Sequence, residues 1–382
     1  MDKLRKGWEY IKLGDIATTV TSGSRDWAKY YSDTGAKFIR MTNLNRNGIN
    51  LLLDDLKFVN VKSNSSDGKR TALQANDILM SITAELGKIG FIPENFGEAY
   101  INQHTALIRI DPSKAYAKFI AYVLSSRTMN QTINSLNDAG AKAGLNLPTI
   151  RALSLNIPPL SEQIKIAEIL SAWDNAIQTT EKQITNSQQQ KKALIQMLLS
   201  GEKRVSGFSG EWKIVKISDI CNIGRGRVIS KQEIEKNQGK YPVYSSQTLN
   251  NGVMGYLDSF DFDGEFVTWT TDGVNAGTIF YRNGKFNCTN VCGVLSSKLE
   301  QLNLRFLAYI LSTVSYKYVS HTLANPKLMN GVMGTIEVKL PQLEEQQKIA
   351  EILTTADQEI ETLQRKLECL KLEKRALMQG VF

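Results

Sequence analysis

The sequence predicts an α+β fold: two globular mixed α/β bodies, each followed by a long helix, with the two helices forming an antiparallel coiled coil of pseudo-two-fold symmetry. Three observations carry that prediction. The chain repeats itself at a fixed spacing. Two long stretches lack proline and glycine and keep an apolar 3-4 period. The surplus of positive charge lies outside those stretches.

The repeat is plainest where Ile157-Pro-Pro-Leu-Ser-Glu-Gln-Ile-Lys-Ile-Ala-Glu-Ile-Leu170 matches Leu340-Pro-Gln-Leu-Glu-Glu-Gln-Gln-Lys-Ile-Ala-Glu-Ile-Leu353 at an offset of 183. The register continues without a gap, so Asp174 falls on Asp357 and Lys191–Gln196 on Lys374–Gln379. Upstream, Phe119–Ser125 recurs as Phe306–Ser312 at offset 187, and Trp8 with Ile11–Ile16 recurs as Trp212 with Val215–Ile220 at offset 204. The growing offset places insertions in the first body. Residues 17–118 and 221–305 scarcely match, so each half has similar ends around a divergent middle. The segments that follow are 1–157 and 201–340 for the two bodies, and 158–200 and 341–382 for the helices.

Pro158-Pro159 and Pro341 each precede an acidic stretch, which is a helix start signal. No proline or glycine then occurs until Gly201 in the first stretch and Gly380 in the second. Residues 161–200 as one helix would be about 60 Å long. Its 3-4 seam runs Ile166, Leu170, Trp173, Ile177, Thr180, Ile184, Ser187, Lys191, Leu194 and Leu198. The second seam runs Ile349, Leu353, Ala356, Ile360, Leu363, Leu367, Leu370, Lys374, Leu377 and Val381. Such steps are the heptad pattern of a coiled coil, here pairing a wetter seam with a drier one. A short glycine-bearing turn, Gly201–Gly210, leads into the second body, which hands back at Pro341. The second helix must then run back along the first, one body lies near each end, and Phe382 returns to the first body.

Within the bodies, Asp77–Thr83, Thr105–Ile110, Glu265–Trp269 and Thr278–Tyr281 read as short strands, and 116–128 and 303–315 as helices. Composition excludes several classes. With 42% hydrophobic residues the chain is a folded, soluble protein rather than a disordered one. Its N-terminus has no apolar core of signal-peptide length and no run of 18 apolar residues occurs, which points to the cytoplasm and away from a membrane.

The net charge of +8 divides as +6 over 1–157, 0 over 158–200, +4 over 201–340 and −2 over 341–382. Two basic bodies suit two contacts with one polyanion, double-stranded DNA. Loops that set cations beside amides and aromatics are the candidate readers, because Arg matches guanine and Asn or Gln matches adenine in the major groove. In the first body these loops offer Arg25, Lys29, Asn43, Arg46, Lys69, Arg70, Gln103 and His104. In the second they offer Arg225, Arg227, Ser246, Gln247, Thr271, Asn275 and Asn290.

Catalytic chemistry is hard to assemble. Cys221, Cys288, Cys292 and Cys369 lack metal-finger spacing and read as buried or partly buried free thiols, and only His104 and His321 could do acid–base work. Gly224-Arg-Gly-Arg-Val-Ile229 has Ile229 where a dinucleotide loop needs its third glycine. Asn156-Ile-Pro-Pro159 is similar to the Asn-Pro-Pro-aromatic loop of amino-methyltransferases, but Ile157 splits it and Leu160 replaces the aromatic. The chain reads as non-catalytic, with no cofactor or metal of its own.

The Pro158–Leu170 motif with its copy at 341–353, the run Leu199–Trp212, and Tyr241–Ser246 through Gly277 and Phe286 resemble the DNA-specificity subunit of type I restriction–modification systems along essentially the whole chain. The resemblance implies two target-recognition domains that read the parts of a bipartite, asymmetric site, and two antiparallel helices that set the gap. It implies partners: two modification subunits that bind S-adenosylmethionine and methylate adenine, and restriction subunits that translocate and cleave DNA with ATP and Mg. The family's variable loops carry no fixed motif, so the resemblance assigns no base contact. Two rivals stand beside this reading: a non-catalytic coiled-coil scaffold for protein partners, and the specificity subunit of a related methyltransferase-only system.

Overall fold

The computed structural model describes residues 7–61, 66–136, 144–321 and 325–382. It divides into two compact units, residues 1–180 with 366–382, and residues 181–365. Each unit holds one body, part of the helix that follows it and part of the other long helix.

In the first unit, Ala17–Ser22, Thr105–Ile110, Ile78–Ser81 and Ile89–Phe91 form one four-stranded sheet in that order. A second sheet orders Tyr31–Ser32, Lys57–Val59, Ala36–Ile39 and Ala99–Ile101. The fully buried residues Ile78, Met80, Ile108, Phe119 and Leu170 share one core, against which Ile166, Leu377 and Phe382 pack. Phe382 meets Phe119 edge-on with ring centroids 5.7 Å apart, so the C-terminus closes onto the first body's core.

In the second unit the equivalent strands make one six-stranded sheet ordered Cys221–Arg225, Cys292–Ser297, Phe262–Thr270, Ile279–Cys288, Gln238–Tyr244 and Val253–Leu257. Its ten-residue strand Ile279–Cys288 joins what the first unit splits. Ile279 and Tyr281 pair with Trp269 and Val267, as Ile89 and Phe91 pair with Met80 and Ile78. Asn287 and Cys288 then pair in parallel with Val243 and Tyr244, as Ala99–Ile101 pair with Lys37–Ile39. In the first unit Pro93, which has no amide hydrogen, and the left-handed Asn95 and Gly97 interrupt the run. One strand becomes two, and one sheet becomes two.

The repeated Glu-Gln pair has a chemical purpose that is the same in both units. Glu162 accepts the Trp8 indole N–H at 3.2 Å, and Glu345 accepts that of Trp212 at 3.2 Å. Gln163, 1% exposed, donates to the Pro158 carbonyl at 2.8 Å and accepts from the Tyr116 amide at 2.9 Å, at the start of helix Ala117–Ser125. Gln346, also 1% exposed, does the same between Pro341 and Asn303 at the start of helix Leu304–Val314. A helix start leaves backbone N–H groups without partners inside the helix, and an amide, both donor and acceptor, can satisfy one such group and a carbonyl together.

The long helices span Leu160–Leu199 and Leu343–Val381. Every position of the two seams is buried or half-buried. In the second unit Ser187 donates to Glu359 at 3.0 Å and Lys191 pairs with Asp357. As one residue number falls the other rises, so the helices run antiparallel there. In the first unit Asp174 pairs with Lys374, and Leu170 shares a core with Leu377, the same sense.

Two polar triads punctuate this seam. Tyr122 donates to Asp174 at 2.6 Å and lies 3.3 Å from Ser171, while Lys374 binds the same carboxylate and sits 5.4 Å from the Tyr122 ring centroid. Tyr309 donates to Asp357 at 2.6 Å and lies 3.4 Å from Thr354, with Lys191 on the carboxylate and 5.9 Å from the ring. In each triad the lysine comes from the other repeat's helix. Burial, with the neighbouring aspartate, raises both phenols well above the ordinary tyrosine range, so each hydroxyl stays a donor.

Candidate nucleic-acid interface

Most candidate readers lie on loops at strand ends, Lys69 and Arg70 lying instead on a short helix, and the structure brings several of them together. In the first unit a tight turn links Asn102 to Thr105 through Thr105 N–H to Asn102 O at 3.2 Å. Gly23 leans on that turn, its amide donating to Thr105 O at 3.2 Å, and Ser24 bridges to Asn102. The second unit repeats the construction: Cys292 N–H to Thr289 O at 3.0 Å, Gly226 N–H to Cys292 O at 3.1 Å, and a bridge from Arg227 to Thr289. A Cβ on Gly23 would collide with the Asn102 carbonyl, and one on Gly226 with the Cys288 and Thr289 carbonyls. Only glycine lets the two chains approach this closely.

The equivalence extends outward. Ile82 N–H bonds His104 O at 3.1 Å, and Thr271 N–H bonds Val291 O at 2.9 Å. Leu145 N–H bonds Ile82 O at 3.0 Å, and Leu328 N–H bonds Thr271 O at 2.9 Å. The loop after each parallel-paired strand is also tied to its neighbour, by Arg46 to Leu86 O at 2.7 Å in one unit and by Asn275 to Ser246 O at 3.3 Å in the other. One frame therefore carries both sets of loops.

The side chains on that frame differ. In the first unit Arg25 and Lys29 are exposed, and Lys69 and Arg70 are exposed on helix Ser66–Thr71, with Arg70 donating to Ser24 Oγ at 2.7 Å. None of these four cations forms an ion pair among the described residues. Gln103 and His104 are half-buried, and His104 touches Thr83 Oγ1 at 2.8 Å and Gln103 Nε2 at 2.9 Å. In the second unit Arg225 bonds Thr271 at 3.0 Å and Asp272 at 3.2 Å, and Arg227 pairs with Glu233 at 2.7 Å and Asp261 at 3.0 Å. Those carboxylates share the arginine charges. Asn290 and Gln247 are exposed, Gln247 donating to Val253 O, and Ser246 is half-buried.

Three candidates face inward. Asn43 is 1% exposed, accepts from the Arg40 amide at 3.0 Å and donates to Leu52 O at 2.8 Å. Thr271 is fully buried. Arg46 is half-buried on Leu86 and Asn130. Each shapes a loop and offers little surface to a base. Ser24 and Asp272, which meet the candidate cations directly, lie in the candidate loops Thr21–Tyr30 and Thr270–Asn275, but as short polar residues without charge-to-phosphate or bidentate base chemistry they do not stand out in the sequence.

Cys221, Cys288 and Cys292 are buried free thiols and Cys369 is exposed. Burial pushes the Cys221 thiol up to about 12. Gly224 and Arg225 close an antiparallel strand rather than opening a helix, so the sequence around them is no dinucleotide loop. Among the described residues no cluster of three or more His, Cys, Asp or Glu could hold a metal ion, and no helix is long and apolar enough to cross a membrane.

Comparison with known proteins agrees with this geometry. The family described as "Type I restriction modification DNA specificity domain" matches residues 5–187 and 209–372. A type I specificity subunit of Mycoplasma pneumoniae is 38% identical over 220 residues, 57% of this chain and 80% of that protein. The MpnII type I restriction enzyme specificity subunit of the same organism is 44% identical over 151 residues, 40% of this chain and 46% of that one. Among solved structures, the type I restriction–modification S subunit from M. genitalium shares the fold with a TM-score of 0.72 at 15% identity, covering 100% of this chain and 97% of that one. The chain belongs to the type I restriction–modification DNA specificity family, and is the non-catalytic subunit that determines the DNA target.

Proposed function

We propose that the target is bipartite and asymmetric, with the body within 1–157 reading one half-site, the body within 201–340 the other, and helices 158–200 and 341–382 setting the gap. The observation that carries this reading is the shared frame with different side chains on it: Ser22, Ser24, Gln103 and Thr83 in one unit stand where Arg225, Arg227, Asn290 and Asp272 stand in the other. The same backbone with different donors and acceptors selects different bases. The exposed candidates Arg25, Lys29, Lys69, Arg70, Arg225, Arg227, Gln247 and Asn290 make the contacts, with Gln103, His104, Ser246 and Asn275 beside them. Asn43, Arg46 and Thr271 hold the loops.

The chain works in the cytoplasm with two modification subunits that use S-adenosylmethionine to methylate adenine and with restriction subunits that use ATP and Mg. It supplies sequence selection and no turnover. Comparing the methylated sites of cells with and without this chain tests the proposal: one bipartite adenine motif should disappear on deletion. Retention of every motif would reject it, and a lack of salt-dependent duplex binding would favour a protein scaffold.

A further inference from the structure

The first unit has an open cavity of about 440 Å³ where the Ser22–Lys29 loop, helix Ser66–Thr71 and the Asn102–Thr105 turn meet. Among the described residues, Ser22, Ser24, Arg25, Lys29, Arg70 and Gln103 line it, Asp26 is the single carboxylate, and no aromatic or aliphatic side chain takes part. Gly23 forms the wall against the Asn102 carbonyl. Arg70 is held by Ser24 at 2.7 Å, and Lys29 lies 4.9 Å from the Tyr30 ring centroid.

The chemistry separates two possible guests. A base edge in a groove is met in its own plane by one or two side chains, whereas here donors from three separate segments converge on one cavity. A phosphate needs cations and hydroxyl or amide donors, which is the lining present. Three cations face one carboxylate, whereas in the second unit the equivalent loop's Arg225 and Arg227 are each bound to acids.

We infer that this cavity seats a phosphate of the DNA backbone, so that its cations Arg25, Lys29 and Arg70 anchor the duplex ionically and fix its register, while base selection falls to the neutral Gln103 and the loop residues beside it. The inference rests on the DNA-reading proposal above. The test uses the complex with its modification subunits, the target duplex, and the double variant Arg25→Gln/Lys29→Gln. Binding is followed over a range of salt concentrations, with single neutral methylphosphonate linkages placed in turn along the first half-site.

Each neutralised phosphate contributes about 0.9 to the slope of log affinity against log salt, so the variant should be shallower by about one unit. One methylphosphonate position should weaken the parent complex and leave the variant unaffected, and the bases required should stay the same. Arg227→Gln should change the slope less, because Glu233 and Asp261 already share that charge. An unchanged slope, a relaxed base requirement, or a methylphosphonate penalty equal in parent and variant would each overturn the seat. Thermal unfolding of the variant at the parent's midpoint assigns any change to binding. If the parent complex itself bound all duplexes alike, the DNA-reading proposal would fall instead.

Discussion

The two units share side-chain contacts where the sequence repeats and only backbone geometry where it does not, and the division is chemical. The Trp–Glu bond, the Gln bridge and the Tyr–Asp–Lys triad occur in both units at matched positions, from groups that are buried or half-buried except the exposed Glu162. At the loop tips the backbone hydrogen bonds also recur, but the side chains do not. A buried polar group must keep its partner, so the frame is constrained residue by residue. A loop tip needs only its backbone geometry preserved.

The triads show that equal chemistry need not mean equal cost. The Lys374 and Asp174 side chains are 6% and 12% exposed, against 25% and 42% for Lys191 and Asp357. Replacing Lys374 by Met leaves a buried carboxylate without its cation and should cost about 3–5 kcal/mol. Lys191→Met should cost about 1 kcal/mol or less. Chemical denaturation of the two variants measures the gap, and equal losses would remove the distinction.

Next in size, Tyr122→Phe deletes a hydrogen bond to a shielded carboxylate and should lose about 1.5–3 kcal/mol, with Tyr309→Phe at the low end of that range or below it. The same denaturation series reads both. Gly23→Ala and Gly226→Ala sharpen the comparison at the loops. Each forces a Cβ into a carbonyl, at about 1–3 kcal/mol. Each should blunt discrimination at its own half-site and spare the other, as competition with duplexes altered in one half-site would record.

Smallest in energy is a change of spacing. A seven-residue insertion near Thr180–Ser187 keeps the heptad period and lengthens the helix by about 10 Å. At about 3.4 Å per base pair, that adds up to about 3 unspecified bases, fewer where the second helix goes unpaired. Sequencing the methylated sites should show the same specified bases with a wider gap.

The helices were legible because nothing local opposes them: no proline or glycine falls inside until Gly380 in the last turn of the second, and the apolar period runs on until Leu198 and Val381. Strand Thr105–Ile110 was legible for a similar reason, its apolar run being bounded by polar turns. The kinship of the reading loops was hidden. Gly23 stands 203 residues from Gly226 while Asn102 stands 187 from Thr289, so insertions slide the matched pieces past one another. Which cations face outward was hidden too. Arg46 and Arg25 are both loop arginines, and only the fold sets one on the Leu86 carbonyl and leaves the other exposed.

The most direct test of this division exchanges residues 221–305 alone for the matching segment of a relative with a different target, leaving every repeated residue in place. The methylated motif is then sequenced. One half-site should change to the relative's, while the other half-site and the gap stay as they were. A change in both half-sites, or in neither from a complex that still methylates, would contradict the claim that the divergent segments read the DNA and the repeated residues hold them in place.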